Sequence, residues 1–155
     1  MNWVKGSLGL FAAGWMAITV AQTQPAVEFG SANVTMAGQE YRVELATSFE
    51  QRAQGLMFRE EMCTDCGMLF YFSPPKQASM WMRNTLIPLD VAFIDRNGVI
   101  TDIKAMKPHD LTSVGASKVV TYALEMNQGW FDAHNISVGD QIEITMSENT
   151  GASQN

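Results

Sequence analysis

Residues able to do chemistry gather in one stretch of this sequence, Ser79-Met80-Trp81-Met82-Arg83-Asn84-Thr85-Leu86-Ile87-Pro88-Leu89-Asp90. Trp81 offers a ring face for stacking. Asn84 and Thr85, just past a strand-like segment, offer short hydrogen-bonding side chains, a composition that suits a small-molecule or sugar pocket. The same Asn-Thr pair would equally satisfy the backbone of a turn. Asp90 follows Pro88-Leu89 and precedes Val91-Ala92-Phe93, so its carboxylate either faces water or is buried and paired. Pairing with Arg52, Arg59 or Arg83 is the expectation. Together Arg59, Trp81, Arg83, Asn84, Thr85 and Asp90 form the expected surface for an unknown small molecule or protein partner.

Other constellations imply other chemistries. Glu125, within Ala123-Leu124-Glu125-Met126, could join Asp90 as an acid/base pair of the glycoside-hydrolase kind, although any two carboxylates permit that pairing. The chain has 11 methionines, and Met80 and Met82 fall on one face of a strand. Thioethers so placed can bind Cu(I), while filling gaps in a β core is the plainer use of methionine. Cys63-Thr-Asp-Cys66 reads as a structural disulfide closing a small loop. A redox pair would open a helix, whereas Gly67-Met68-Leu69-Phe70 looks like a strand. Zinc would need further ligands, and none is implied. His109 and His134 have no serine or cysteine arrangement beside them that suggests nucleophilic catalysis. No motif calls for a cofactor.

The elements that must hold these residues are short. Glu40 to Ala46 alternates, with Tyr41, Val43 and Leu45 on one side, which predicts a half-buried strand. Ser48 with Gln51, or Thr47 with Glu50, fits a capping box, so a helix is expected over Ser48 to Gln54 with Gly55 as its stop. Gly67 to Phe72 reads as a strand buried on both faces and broken by Ser73-Pro74-Pro75-Lys76. Ala78 to Met82, Ile87 to Ile94, Val99 to Met106, Val119 to Met126 and Gln141 to Met146 are further strands. Asp95-Arg96-Asn97-Gly98 is a hairpin turn. A short helix is expected at Trp130 to His134. Many short strands with two short helices predict a mostly β fold, a compact antiparallel barrel or sandwich.

The chain begins like a secretory signal peptide: Lys5, an apolar run from Gly6 to Val20, and small residues at Thr19 and Ala21. The run is shorter than the roughly 20 residues a spanning helix needs. The expected organisation is a signal peptide at 1–21, a linker and opening strand at 22–39, one β-rich domain at 40–146 and a disordered tail at 147–155. Export to the periplasm or beyond follows, and with it an oxidised cysteine pair and no stable membrane association after cleavage. Ten basic and 16 acidic residues give a net charge of −6, spread along the chain, which opposes binding to nucleic acid or anionic lipid.

Several of these segments together resemble a known family. Arg52-Ala-Gln-Gly55-Leu-Met57-Phe-Arg59, Gly67-Met-Leu-Phe70, Trp81-Met-Arg-Asn84-Thr85-Leu-Ile-Pro88-Leu-Asp90, Leu124-Glu125 with Gly129-Trp130, and Ile136-Ser-Val-Gly139-Asp140 are similar, in order, to domain of unknown function 192. The resemblance spans Tyr41 to Met146. It implies a compact β-rich domain, often behind a signal peptide or anchor, and no established reaction, substrate or cofactor. Arg83 stands where the family usually has Lys, which keeps the charge but changes its geometry. Cys63 and Cys66 fall outside the family pattern, which favours a local staple.

Overall fold

The computed structural model of the protein describes residues 26–147. The expected signal peptide, and the expected tail apart from Ser147, lie outside the described residues. Nine strands and two short helices follow in the order β1 (Gly30–Met36), β2 (Gln39–Ala46), α1 (Phe49–Gln54), β3 (Gly67–Lys76), β4 (Ser79–Met80), β5 (Leu89–Ile94), β6 (Ile100–Met106), β7 (Val114–Gly115), β8 (Val120–Asn127), α2 (Trp130–Ala133) and β9 (Glu143–Ser147). The fold is mostly β, as the short alternating segments predict.

Seven strands make one sheet in the order β6-β5-β8-β3-β2-β1-β9, and β4 and β7 form a separate two-stranded ladder. Every pairing in the large sheet is antiparallel except β2 with β3. The sheet does not close into a barrel, yet its edges meet over a short stretch. Val99 bridges Gln141, and Ile142 donates its N–H to the Gly98 carbonyl at 2.8 Å. Gly98 is required there. It has φ 80°, and a Cβ on it would stand 2.4 Å from the Ile142 carbonyl oxygen.

Side chains alternate across the sheet, so each face has its own core. The inner face, which the sheet curls around, buries Val34, Val43, Leu45, Leu69, Ala92, Leu124 and Met126, and α2 plugs it with Trp130 and Phe131. The outer face buries Met68, Phe70, Val91, Phe93, Met106 and Ala123, covered by Leu56, Met82 and Ile87. This double burial explains why β5 and β8 are apolar almost throughout.

Helix α1 starts where the capping box places it. Ser48 Oγ accepts from the Gln51 N–H at 3.1 Å, Gln51 Oε1 accepts from the Ser48 N–H at 2.9 Å, and Gly55 ends the helix. Two local expectations differ from what forms. Strand β3 runs on through Pro74 and Pro75 to Lys76, with an irregular register between Tyr71 and Lys76. Proline is tolerated there because the ladder is already interrupted and no rung needs its missing N–H. Strand β4 holds only Ser79 and Met80, because after Met80 the chain leaves β7 and turns.

Candidate functional site

The residues expected to form one surface fall in three places. Arg59 pairs with Glu44 at 2.6 Å and lies over the Phe29 ring, away from Trp81. Asn84 adopts φ 54°, and its carbonyl accepts the Phe58 N–H at 2.8 Å, so it shapes a turn. Arg83 lies 5.6 Å over Trp81. Asp90 is buried and accepts the Gly129 N–H at 2.7 Å, so its partner is a backbone amide and not an arginine. Register explains this placement. Asp90 is opposite Met126 and shares the inner-face parity of Ala92 and Ile94, near the start of β5 and beside the end of β8, where the chain turns into α2.

Glu125 is on the other face. It stands opposite Val91 on β5 and Met68 on β3. Asp90 and Glu125 therefore point to opposite sides of the same sheet and do not form an acid/base pair. Across the outer face one row reads Glu44, Met68, Glu125, Val91, Lys104. The charges at its ends are engaged, Glu44 with Arg59 and Lys104 with Asp102. The one at its centre is not. Glu125 is 4% exposed and no described side chain or amide donates to its carboxyl. Burial in this apolar setting pushes its pKa up from 4.5 to about 8, so the group is neutral at pH 7.

Glu125 opens into a cavity of about 200 Å³ between α1, β3 and the β4 segment. Trp81, Phe49, Met57, Met80 and Phe72 make its apolar wall, and Thr85, Ser79, Arg52 and Lys76 add polar groups. Thr85 is buried and, among the described residues, its hydroxyl reaches only the Arg83 carbonyl, at 3.4 Å. Arg52 uses Nη1 to hold the Thr47 and Tyr71 carbonyls, which ties α1 to β3. Gly67 lets β3 lie tight against β8 beside Glu125, since a Cβ there would stand 2.4 Å from the Glu125 carbonyl oxygen. Phe49, the first residue of α1, is 74% exposed at the cavity. No residue of α1 itself is buried; Leu56, past the helix, makes the core contact.

Of the expected ligand surface, then, Trp81 and Thr85 line the cavity, Arg83 sits above Trp81, and Arg59, Asn84 and Asp90 serve elsewhere. Glu125 was legible only as an acid inside an apolar strand. The signal that marks it is parity: it is the one charged residue of β8, a strand buried on both faces.

The cysteines lie at the α2 end of the inner face. Cys63 and Cys66 form a disulfide. Within their loop Asp65 accepts from Trp130 Nε1 at 3.0 Å and lies 3.6 Å from His134 Nε2, while Asn127 Nδ2 donates to the Cys63 carbonyl at 2.8 Å. The closed loop thus anchors the plug over the sheet end. Met82 is buried in the outer core and Met80 packs against the same cluster. Among the described residues no group of three or more His, Cys, Asp or Glu is placed to hold a metal ion.

The signature residues of Trp81 to Asp90 and the Leu124-Glu125 pair thus frame one covered face of a curled sheet. Residues 32–144 match the family model of DUF192, described as uncharacterized ACR. The chain belongs to this family. Among its relatives is a UPF0127 protein of Thermococcus sibiricus, 28% identical over 112 residues, which are 72% of this chain and 71% of that one. Two solved structures share the fold. A Sinorhizobium meliloti 1021 protein, provisionally named a transcription regulator, is 35% identical with a TM-score of 0.70, covering 78% of this chain and 97% of its own. A protein of unknown function from Novosphingobium aromaticivorans is 32% identical with a TM-score of 0.68, covering 84% and 99%. Across the family's span, among the described residues, no helix is long and apolar enough to cross a membrane.

Proposed function

We propose that this DUF192 domain binds a small molecule in the cavity beneath Trp81, with Glu125 as the hydrogen-bonding group at its floor. The observation that carries the reading is a buried carboxyl without a protein partner that opens into a cavity. Burying a polar group unsatisfied costs free energy, and native proteins leave few such groups without a use. An aromatic wall with a few convergent polar groups is the usual make-up of a small-molecule site. The neutral carboxyl can donate as well as accept, so it can read a carbonyl or carboxylate oxygen. The provisional name of the Sinorhizobium meliloti relative does not extend to DNA contact here, because a net charge of −6 opposes a phosphate backbone.

Tryptophan fluorescence tests the site, because Trp81 is 48% exposed at the cavity while Trp130 is buried in the other core. Titration with small aromatic acids, amides and amines should change the emission. Trp81→Phe should remove that change, and Glu125→Leu should weaken binding at least 10-fold. A response that survives Trp81→Phe with unaltered affinity places the binding elsewhere and sinks the reading.

Export is part of the same proposal. The segment Met1 to Ala21 supports it, as does a disulfide in a chain with two cysteines. Intact-mass measurement of protein recovered from a bacterial periplasm should find a chain starting at Gln22. An uncut, cell-retained chain would contradict it.

A further inference from the structure

The cavity's charges suggest which class of ligand it takes. The protein is acidic, yet the ionisable groups lining this cavity are Arg52, Lys76 and Glu125, two cations and one carboxyl held neutral by burial. The lining is therefore positive at pH 7 inside a negative protein. Of the Arg52 nitrogens only Nη1 is engaged by backbone carbonyls, so Nε and Nη2 keep no protein partner among the described residues. Lys76 lies over the Phe72 ring at 5.0 Å, and among the described residues no acid pairs with it. An amine would meet two like charges here. A polyhydroxylated ligand would find too few partners, because Ser79, Thr85 and Gln54 are the uncharged polar side chains on the wall.

Volume narrows the choice further. A dry cavity of about 150 Å³ is enough to hold a benzene ring. At about 200 Å³, this one takes a single ring or short alkyl chain with one small polar group.

Resting on the small-molecule reading above, we propose that the ligand is a small monocarboxylate anion with an apolar body of about one ring. Arg52 and Lys76 supply the attraction, Glu125 donates a hydrogen bond to the ligand's carboxylate, and Trp81, Phe49 and Met57 cover the body. An O–H···O⁻ bond from a neutral acid to a carboxylate is among the stronger hydrogen bonds a protein can offer. It exists only while Glu125 keeps its proton. The charged groups that share the lining with Glu125 are Arg52 of α1 and Lys76 of β3, and neither offsets the effect of burial on its carboxyl; its cross-strand neighbours, Met68 and Val91, carry no charge. Ligand affinity should therefore hold near pH 7 and fall as pH rises past the point, about 8, where Glu125 ionises.

Calorimetric titration of the purified protein with phenylacetate, phenylacetamide and phenethylamine tests this. At pH 7 phenylacetate should bind at least 10-fold tighter than the amide, and the amine weakest of the three. Moving from pH 7 to pH 9.5 should weaken phenylacetate by roughly 10- to 30-fold, and Glu125→Gln, which keeps a neutral donor, should remove that dependence. Lys76→Gln should cost several-fold without changing the pH profile. Tighter binding of the amine, equal binding of acid and amide, or a flat pH profile in the native protein overturns the monocarboxylate assignment and leaves the small-molecule site standing. If none of the three binds, the site itself fails.

Discussion

Two buried acids occupy the outer face of this sheet one row apart, and they are treated in opposite ways. Asp102 lies on the edge strand β6, opposite Phe93, and Glu125 on the central strand β8, opposite Val91. They are 9% and 4% exposed. At the edge, the segment after β7 reaches over. Ser117 donates its N–H at 3.0 Å and its hydroxyl at 2.9 Å to Asp102, Thr101 donates at 2.8 Å, and Lys104 lies 3.4 Å away. Burial pushes the Asp102 carboxyl up, but these donors outweigh it and hold the pKa below the ordinary carboxylate value. At the centre the covering segments leave a space over Glu125, its cross-strand neighbours are Met68 and Val91, and burial alone decides the outcome. An acid can be hidden cheaply at the edge of a sheet. One hidden at the centre costs stability, which is why it marks the site.

The two acids should therefore respond to substitution with opposite signs. The largest effect belongs to Glu125. Its folded pKa of about 8 lies above the ordinary 4.5, so the stability linked to its proton is fully present below 4.5 and is lost as pH rises through about 8. At pH 9 the native protein carries the full penalty of a buried charge, on the order of 3 to 5 kcal/mol. Glu125→Gln should lift that penalty. Urea denaturation should show the variant gaining stability steadily over the native protein between pH 5 and pH 9. Parallel curves would mean that Glu125 is hydrated and the contrast with Asp102 is false.

Asp102→Ala should move the other way, losing about 1 to 3 kcal/mol at pH 7 because Ser117 and Thr101 are left with unanswered donors. The folded pKa of Asp102 is lowered, so its contribution is present above the ordinary carboxylate range and is lost in acid. The gap between native protein and variant should close as pH falls below the ordinary carboxylate range. A variant as stable as the native protein at pH 7 would show that the donors prefer water to the carboxylate.

The smallest effect belongs to Glu44, at the end of the Glu125 row. Its side chain is 39% exposed beside Arg59. Glu44→Gln should cost less than about 1 kcal/mol, and less again at high salt. A larger loss would move Glu44 into the class of Asp102.

How much of this could be read from the chain depends on what each residue competes with. The alternation of Tyr41, Val43 and Leu45, the Ser48–Gln51 capping box and the tight turn at Gly98 are local, and they form where their spacing places them. The paths of β3 and β4 were harder to see. Pro74 and Pro75 break a ladder only if the rung is needed, and β4 ends at Met80 because its partner β7 is two residues long. The Trp81–Asp90 stretch was rightly prominent as a family signature. Its members scatter because it crosses from a covering loop into a sheet strand, so Thr85 faces the outer-face cavity and Asp90 the inner core. Nothing in the order of residues says which of two buried faces is covered by a loop with space beneath it. That fact separates Glu125 from the apolar residues around it.

The ionisation of Glu125 itself tests the account most directly. Carboxyl carbon-13 NMR of the labelled protein, assigned with Glu125→Gln, should show one glutamate titrating near pH 8, as its burial implies. Saturating phenylacetate should move that midpoint higher, since an added anion beside a carboxyl favours the protonated form. A Glu125 midpoint in the ordinary range near 4.5, or one that phenylacetate leaves in place, would contradict both the burial of Glu125 and the proposed ligand.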